Sequence, residues 1–162
     1  MSGGSNRSAG DAQLRRDAEE LYRAVSELVR VYQFRDRQRI CYYDISASQC
    51  YALGSLLSAG VLTQGDLASR LHLDKSTTSR LVDSLEAKGY VRRRPSRGDA
   101  RALKLQVTPK GRDLHRRIEV DLVDGMKALI EDLDPDVRQA TARLVSQLAR
   151  AATTRFEGHT PR

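Results

Sequence analysis

The stretch of sequence that decides the fold is LTQGDLASRLHLDKSTTSRLVDSLEAKGYVRRR, residues 62–94. It contains two helix starts, because the side-chain oxygens of Thr63 and Asp74 suit the N-cap position, where they accept hydrogen bonds from unpaired backbone N–H groups. Apolar residues follow each start at helical spacing. The stretch therefore predicts a short helix over residues 64–72 and a second helix over residues 75–88, which together form a helix-turn-helix.

Gly89 ends this second helix, and the pattern behind it changes from a helical period to alternation. Residues 90–94 and 102–107 are each typical of a β-strand, and Pro95 and Gly98 mark the loop between them. A β-hairpin that directly follows the second helix of a helix-turn-helix is a wing.

Another capped helix is predicted on the N-terminal side of this core, over residues 47–59, where Ser46 and Gln49 form a capping box and Gly60 ends the helix. Further upstream, apolar residues recur at alternating steps of four and three, which is the narrow seam of a helix that packs against another helix. The seam consists of Leu14, Ala18, Leu21, Val25, Leu28 and Tyr32. Its partner is either a helix of the same subunit or a helix of a second copy of the chain.

Two more helices follow the hairpin, and each is opened by an N-cap residue with a proline at the first helical position. Thr108 and Pro109 open a helix that we expect to end at about residue 133. Asp134 and Pro135 open a helix that we expect to end near residue 153. The whole pattern predicts a mainly α protein with a small β-hairpin.

The net charge of +7 is concentrated in one segment. Residues 75–104 hold nine basic and three acidic side chains, and thus six of the seven net positive charges. A basic excess attracts nucleic acid or an anionic membrane surface. No apolar run approaches the ~20 residues of a membrane span, and a membrane-surface helix would need a large apolar face beside its charges. Because the basic side chains instead surround a turn between two strands, they favour double-stranded DNA over a membrane.

The sequence lacks the motifs of several other functional classes. It has no glycine-rich phosphate loop, no nucleophile motif and no Cys/His pair at metal-ligand spacing. We therefore expect that the protein is not an enzyme and that it has no catalytic residue, no metal and no cofactor. Two cysteines are too few for a disulfide framework. The N-terminal residues have no apolar segment of the kind found in a signal peptide, and we expect a cytoplasmic protein.

The second helix of the pair has a core side and an outward side. Its core side consists of Thr78, Leu81, Val82 and Leu85. Ser76, Arg80 and Asp83 lie on the outward side, and Thr77 and Ser79 lie on its flanks. Short hydroxyl side chains let a helix approach the major groove closely, and an arginine can bond both acceptors of guanine. The alternative is that these hydroxyls are ordinary solvated groups.

The hairpin adds basic side chains of its own. Arg97, Asp99 and Arg101 lie in its loop. A wing arginine fits the narrow, negative minor groove of A·T-rich DNA. Asp99 orients an arginine by an ion pair or forms the turn, and the two roles are compatible. Side chains alternate along a strand, so the three consecutive arginines before Pro95 cannot all face one groove. We expect one or two of them, assigned here to Arg92 and Arg94, to bind phosphates.

These segments resemble the MarR family of transcription regulators. Residues 74–82 and 85–91 are similar to the family's recognition helix and first wing strand. Residues 99–101 and 105–111 are similar to its wing motif and to the start of the following helix. The motifs are specific in combination and weak singly, and the resemblance covers roughly residues 14–155.

The resemblance implies a homodimer that binds a pseudo-palindromic operator, with base contacts from the second helix and a minor-groove role for Arg101. One departure is Ala100, where many members have a second arginine, so that either Arg97 or Arg101 serves the wing tip. The candidate DNA-binding residues are Lys75, Ser76, Thr77, Ser79, Arg80, Arg92, Arg94, Arg97, Asp99 and Arg101. The function implied is that of a sequence-specific regulator, with repression as the expected mode.

The predicted fold is a winged helix-turn-helix with N- and C-terminal dimerisation helices. Its first residues are rich in glycine and serine, which predicts disorder there. The predicted parts are a disordered N-terminus (1–12), an N-terminal dimerisation helix (13–38), a winged helix-turn-helix DNA-binding domain (46–108), C-terminal dimerisation helices (109–155) and a flexible tail (156–162).

Members of the family often respond to small aromatic ligands bound beside the dimerisation helices, and others respond through cysteine oxidation. The candidate ligand crevice of this chain consists of Tyr32, Tyr42, Tyr43 and Tyr51, with Phe34 nearby. Ordinary core packing is the other interpretation of these rings. Cys41 follows Arg37 and Arg39, whose positive charge favours a thiolate. Redox sensing through Cys41 and general DNA binding without operator specificity are therefore alternatives.

Overall fold

The computed structural model describes residues 4–95 and 103–157. Over these residues the chain is mainly helical with one small antiparallel sheet, as the sequence predicts. The elements are α1 (Gly4–Cys41), α2 (Ala47–Ala59), β1 (Leu62–Thr63), α3 (Gln64–Leu71), α4 (Lys75–Ala87), β2 (Val91–Pro95), β3 (Leu103–Val107), α5 (Pro109–Ile130) and α6 (Pro135–Glu157). The chain divides into two compact units, a winged unit that extends to Val120 and a helical unit that begins at Asp121.

The N-caps predicted for the first three helices of the winged core are confirmed. At α2, the Ser46 hydroxyl accepts a hydrogen bond from the Gln49 N–H at 3.2 Å, and the Ser46 N–H donates to the Gln49 side chain at 2.9 Å. Thr63 and Asp66 form the same reciprocal pair at α3. Asp74 caps α4. Each cap satisfies backbone N–H groups that have no partner inside the helix.

Residues with a positive φ follow these helices. Gly60 follows α2 with a φ of 81°, and Gly89 lies just beyond α4 with a φ of 75°. Glycine adopts such values without a steric penalty. The helix predicted over residues 64–72 is one residue too long, because His72 itself takes a φ of 51° and α3 ends at the residue before it.

The sheet has the strand order β1-β3-β2, with both pairs antiparallel. The predicted hairpin is confirmed as the pair of β2 and β3. The sequence prediction missed β1, which pairs Leu62 with Leu105 and Thr63 with Lys104. Two residues are too few to show an alternating pattern. This strand holds the segment before α3 against the base of the hairpin.

The core of the winged unit is formed by apolar side chains from the end of α1, from α2, α3 and α4, from the sheet and from the first half of α5. The largest of them are Ile40, Leu53, Leu56, Leu67, Val82, Leu85, Val91, Leu105, Leu114 and Ile118. The predicted core side of α4 is confirmed, since all four of its residues are buried. Leu103 lies on the same face of β3 as Leu105 and Val107, but unlike them it is exposed, by 49%. It pairs with Pro95 at the end of the hairpin away from the core.

Both terminal helices are longer than predicted. The prediction of disorder over residues 1–12 is wrong from Gly4 onward, because α1 already begins there. No proline interrupts this segment, and side-chain bonds at helical spacing support the following turns, as between Gln13 and Asp17 at 2.7 Å. The predicted tail at residues 156–162 is wrong for its first two residues, because α6 continues to Glu157. The helix expected to end at about residue 133 ends at Ile130.

Much apolar surface of the long helices is exposed in the single chain. In α1 the exposed apolar residues include Leu14, Leu21, Val25 and Leu28 of the predicted seam, and in α6 they include Val137, Leu144, Val145 and Leu148. None of the helices within the described ranges has the length and apolar content needed to span a membrane.

Candidate nucleic-acid interface

The N-terminus of α4 is organised around the carboxylate of Asp74. One oxygen accepts the Thr77 N–H at 2.8 Å and the Ser76 hydroxyl at 2.6 Å, and the other accepts the Thr77 hydroxyl at 2.7 Å. These hydrogen bonds, from the Ser76 and Thr77 side chains first and then from the Thr77 backbone, hold the pKa of Asp74 well below its usual range. Asp74 is therefore ionised at neutral pH and accepts hydrogen bonds only.

The five residues predicted to contact DNA from this helix lie within its first two turns. Lys75, Ser76 and Arg80 are exposed, and Thr77 and Ser79 are half-buried. Thr78, the one residue between them, is buried, and its hydroxyl donates to the backbone carbonyl of Asp74 at 2.9 Å. The outward side of α4 thus presents short hydroxyl groups near its start and a guanidinium one turn later.

A brace of charged side chains connects α4 to the wing. The guanidinium of Arg93 contacts Asp83 at 2.5 Å and also contacts Glu86. The Arg93 backbone N–H donates to the Glu86 carboxylate as well, at 2.9 Å. Burial opposes the charge of Arg93, but the hydrogen bonds to Asp83 and Glu86 outweigh it and raise the pKa above its ordinary value. The brace explains why Asp83, an acid, lies on the outward side of a basic helix.

The opposite face of the hairpin carries the neighbouring arginines. Arg92 pairs with Gln106 across the strands, and Arg94 pairs with Lys104. The Arg92 guanidinium donates to the Gln106 side-chain oxygen at 2.7 and 3.1 Å, whereas Arg94 is exposed. Alternation along the strand thus separates Arg92 and Arg94 from Arg93, as the sequence predicts. Lys104 is not among the predicted site residues, although the alternation over residues 102–107 could have placed it beside Arg94.

Arg97, Asp99 and Arg101, the candidate residues of the wing loop, lie outside the described residues. Their roles stay predictions that rest on the sequence.

Two long-range contacts tie the C-terminal end of α4 to the start of α2 and to the segment before it. The Gln49 amide, whose oxygen serves in the capping box, donates to the Ser84 hydroxyl at 2.8 Å. The Lys88 ammonium bonds the backbone carbonyl of Asp44 and lies 3.3 Å from its carboxylate. These contacts join residues 35 and 44 positions apart. No local sequence pattern could have indicated them.

The four candidate crevice tyrosines have different surroundings in the structure. The Arg35 guanidinium lies over the ring of Tyr32 at 4.1 Å, and Arg117 lies 6.0 Å from the ring centre of Tyr43. Tyr51 and Tyr42 are exposed, the latter by 89%. An open groove at the end of α1 is lined by Phe34, Arg37, Gln38 and Tyr42. Tyr42 thus lies at this groove, and the prediction that the four tyrosines form a ligand crevice stays untested.

The cysteines and the other residue types that can bind metals form no metal site among the residues that the structure describes. Cys50 is buried with 5% exposure. The side chain of Cys41 lies outside those that the structure describes. No cluster of His, Cys, Asp and Glu suited to a metal ion is found among the described residues.

Comparison with known proteins agrees with this geometry. The model of the MarR family matches residues 43–102, which contain α2, the helix-turn-helix and the first strand of the hairpin. An HTH-type transcriptional regulator of Mycobacterium leprae is 32% identical over 142 residues, covering 85% of this chain and 94% of that protein. The multiple antibiotic resistance protein MarR of Salmonella typhimurium is 30% identical over 102 residues, covering 56% of this chain and 71% of that protein.

A solved structure shows the same fold over most of the chain. A MarR family protein from Bacillus stearothermophilus superposes with a TM-score of 0.79 at 24% identity, over 86% of this chain and 97% of that one. The relatives are regulators of transcription and the family implies DNA binding. The chain belongs to the MarR family of winged helix-turn-helix transcription regulators.

Proposed function

We propose that this regulator is a repressor that binds a pseudo-palindromic operator as a homodimer. In each subunit α4 enters the major groove, and the wing binds the adjacent minor groove. Repression then requires only occupancy, because a bound dimer excludes other proteins from the same DNA. A small aromatic ligand releases the protein by favouring a spacing of the two α4 helices that no longer fits the operator.

The observation that carries this proposal is the outward side of α4. Its exposed Ser76 and Arg80 are groups that bond base edges in the major groove. The core side of the same helix is fully occupied, since Leu81, Val82 and Leu85 are buried. Apart from Asp83, which binds Arg93 of the wing, the exposed side chains of the outward side are available to DNA.

The wing supplies backbone and minor-groove contacts in this proposal. Arg92 and Arg94 lie on the face of the hairpin away from the Arg93 brace, and we assign them to phosphates. Arg97 or Arg101 enters the minor groove, with Asp99 orienting one of them. Arg101→Ala should weaken binding mainly where A·T pairs flank the site, which footprinting on matched A·T- and G·C-flanked duplexes will measure.

Dimerisation is supported by the exposed seam of α1. Val25 and Leu28 of this seam are 42% and 49% exposed in the single chain, and apolar surface of this extent is usually covered by a partner. Val25→Asp combined with Leu28→Asp should yield a folded monomer by sedimentation and circular dichroism. Arg23→Asp, on the same helix outside the seam, is the matched control and should leave the dimer intact. A dimer that survives the double substitution would contradict this assignment.

The groove at the end of α1 is where we place the effector. Phe34 and Tyr42 offer rings for stacking, and Arg37 offers a charge for an anionic substituent. Release of DNA by benzoate-type anions and phenols, lost on Arg37→Ala, supports a ligand site here. Release by an oxidant, abolished by Cys41→Ser, would instead favour redox sensing.

Selection of duplexes from a random library tests the function itself. A sequence-specific regulator should bind its selected duplex about 10³-fold or more tightly than random DNA at the same salt concentration. The selected sites should contain half-sites about one helical turn apart, as a dimer requires. Equal binding of random duplexes would refute the proposal in favour of general DNA binding.

A further inference from the structure

The hydroxyl groups at the start of α4 have a fixed hydrogen-bond polarity. Ser76 and Thr77 each have one hydroxyl proton, and each donates it to the carboxylate of Asp74, at 2.6 and 2.7 Å. A carboxylate that is ionised accepts hydrogen bonds and donates none. Both hydroxyl oxygens can therefore offer only lone pairs to any further partner.

We infer that Asp74 is a specificity-determining residue, which makes Ser76 and Thr77 select bases that carry an amino group in the major groove. This inference rests on the proposed function, in which α4 enters that groove. The N6 amino group of adenine and the N4 amino group of cytosine are the hydrogen-bond donors there, whereas guanine and thymine present keto acceptors. On the contacted strand, adenine and cytosine are therefore favoured over guanine and thymine.

The same polarity excludes phosphates as partners of these two side chains. A phosphate oxygen accepts hydrogen bonds, and neither hydroxyl has a proton left to donate. The donors on the outward side of α4 lie elsewhere, on Lys75 and Arg80, which are exposed and carry only donors. The helix thus presents acceptors at its start and an arginine suited to guanine one turn later.

Asp74→Asn is the sharpest perturbation, because asparagine is as good an N-cap as aspartate. Its oxygen can still accept the Thr77 N–H and the Ser76 hydroxyl, as one oxygen of Asp74 does now. Its amide nitrogen then takes the place of the other oxygen and donates to the Thr77 hydroxyl. That hydroxyl regains a free proton and can donate to a keto oxygen.

The test is selection of duplexes by wild type and variants, followed by affinity measurements on single base substitutions. Thr77→Val and Ser76→Ala identify the base positions that the two hydroxyls contact. At the Thr77 position, wild type should prefer adenine or cytosine over guanine or thymine by about 3- to 10-fold, the value of one hydrogen bond. Asp74→Asn should abolish or reverse this preference, whereas Asp134→Asn, the same change at the N-cap of α6, should leave it intact.

A DNA analogue tests the inference without altering the protein. Replacing a contacted adenine by purine, which lacks the N6 amino group, should lower wild-type affinity by the same ~3- to 10-fold. An unchanged preference in Asp74→Asn, or no loss with the analogue at a contacted adenine, would overturn the inference while leaving operator binding established. If wild type selects no sequence at all, it is the proposed function that fails.

Discussion

Arg93 is the residue whose removal best separates a structural role in the wing from a direct role at DNA. Its guanidinium contacts Asp83 at 2.5 Å and also contacts Glu86, both on α4. Arg93→Ala removes both ion pairs and leaves two unneutralised carboxylates beside the base of the hairpin. We expect lower stability and a displaced wing, without the loss of a phosphate contact.

The size of the stability loss follows from the burial of the three side chains. Arg93 is 21% exposed, whereas Asp83 and Glu86 are 59% and 37% exposed. Exposed ion pairs contribute about 0.2–1 kcal/mol, and hydrogen bonds to better buried charged groups about 1.5–3 kcal/mol. The Asp83 pair belongs to the first class and the Glu86 pair lies between the two. We therefore expect a loss of about 1–2.5 kcal/mol, or a fall in Tm of roughly 2–10 °C.

Thermal unfolding and DNA binding at several salt concentrations measure the two roles separately. Arg94→Ala is the matched control, because Arg94 is exposed on the opposite face of the same strand. The control should keep its Tm and lose about one unit of salt dependence per subunit, as the loss of a phosphate contact requires. Arg93→Ala should show the reverse pattern. A wild-type Tm with reduced salt dependence in Arg93→Ala would refute the brace.

Three other substitutions test the packing and the caps. Gly111→Ala should lower the Tm, because a Cβ there would overlap the Tyr90 carbonyl and lie 2.8 Å from a Val107 methyl group. This overpacking costs about 1–3 kcal/mol and outweighs the ~0.4–1 kcal/mol that alanine gains in a helix; a raised Tm would contradict it. The pKa values of Asp66 and Asp74 are lowered from 3.8 by their cap hydrogen bonds, to Thr63 in the first case and to Ser76 and Thr77 in the second. Their stabilisation is complete above about pH 5 and lost as the pH falls below about 4. Tm measured against pH should therefore fall less steeply in Asp66→Asn and Asp74→Asn than in wild type, and parallel curves would show that neither cap is linked to proton binding.

The helix-turn-helix and its hairpin could be predicted from the sequence because their signals are local. A cap oxygen and its N–H partner are three residues apart in Ser46–Gln49 and Thr63–Asp66, so the chain encodes them within one turn. The alternation of side chains along a strand is equally local, and it places Arg92 and Arg94 on the opposite face of the hairpin from Arg93. Local rules therefore predict which elements form and which way most side chains point.

The features that the sequence did not predict depend on distant partners. The tie of Lys88 to Asp44 and the pairing of β1 with β3 bring together residues more than forty positions apart. The role of Asp83 depends on Arg93 in the wing, which a helical wheel of α4 does not include. The hydroxyl polarity at the start of α4 depends on which proton goes to Asp74, and only the geometry of the hydrogen bonds shows it.

The first helix shows a different kind of error. Glycine and serine in the first residues predicted disorder, but α1 begins at Gly4. Composition describes the average behaviour of a segment, whereas a helix already formed downstream extends at low cost, since its nucleus exists.

Binding of the selected operator by Arg80→Ala tests the central claim, that the outward side of α4 recognises bases. Arg80 is exposed and lies one turn beyond Ser76. We predict that the substitution weakens binding to the selected duplex by about 5- to 150-fold, that it relaxes the preference at one guanine position, and that it lowers binding to random DNA far less. An equal loss on selected and random DNA, with every base preference retained, would contradict the claim.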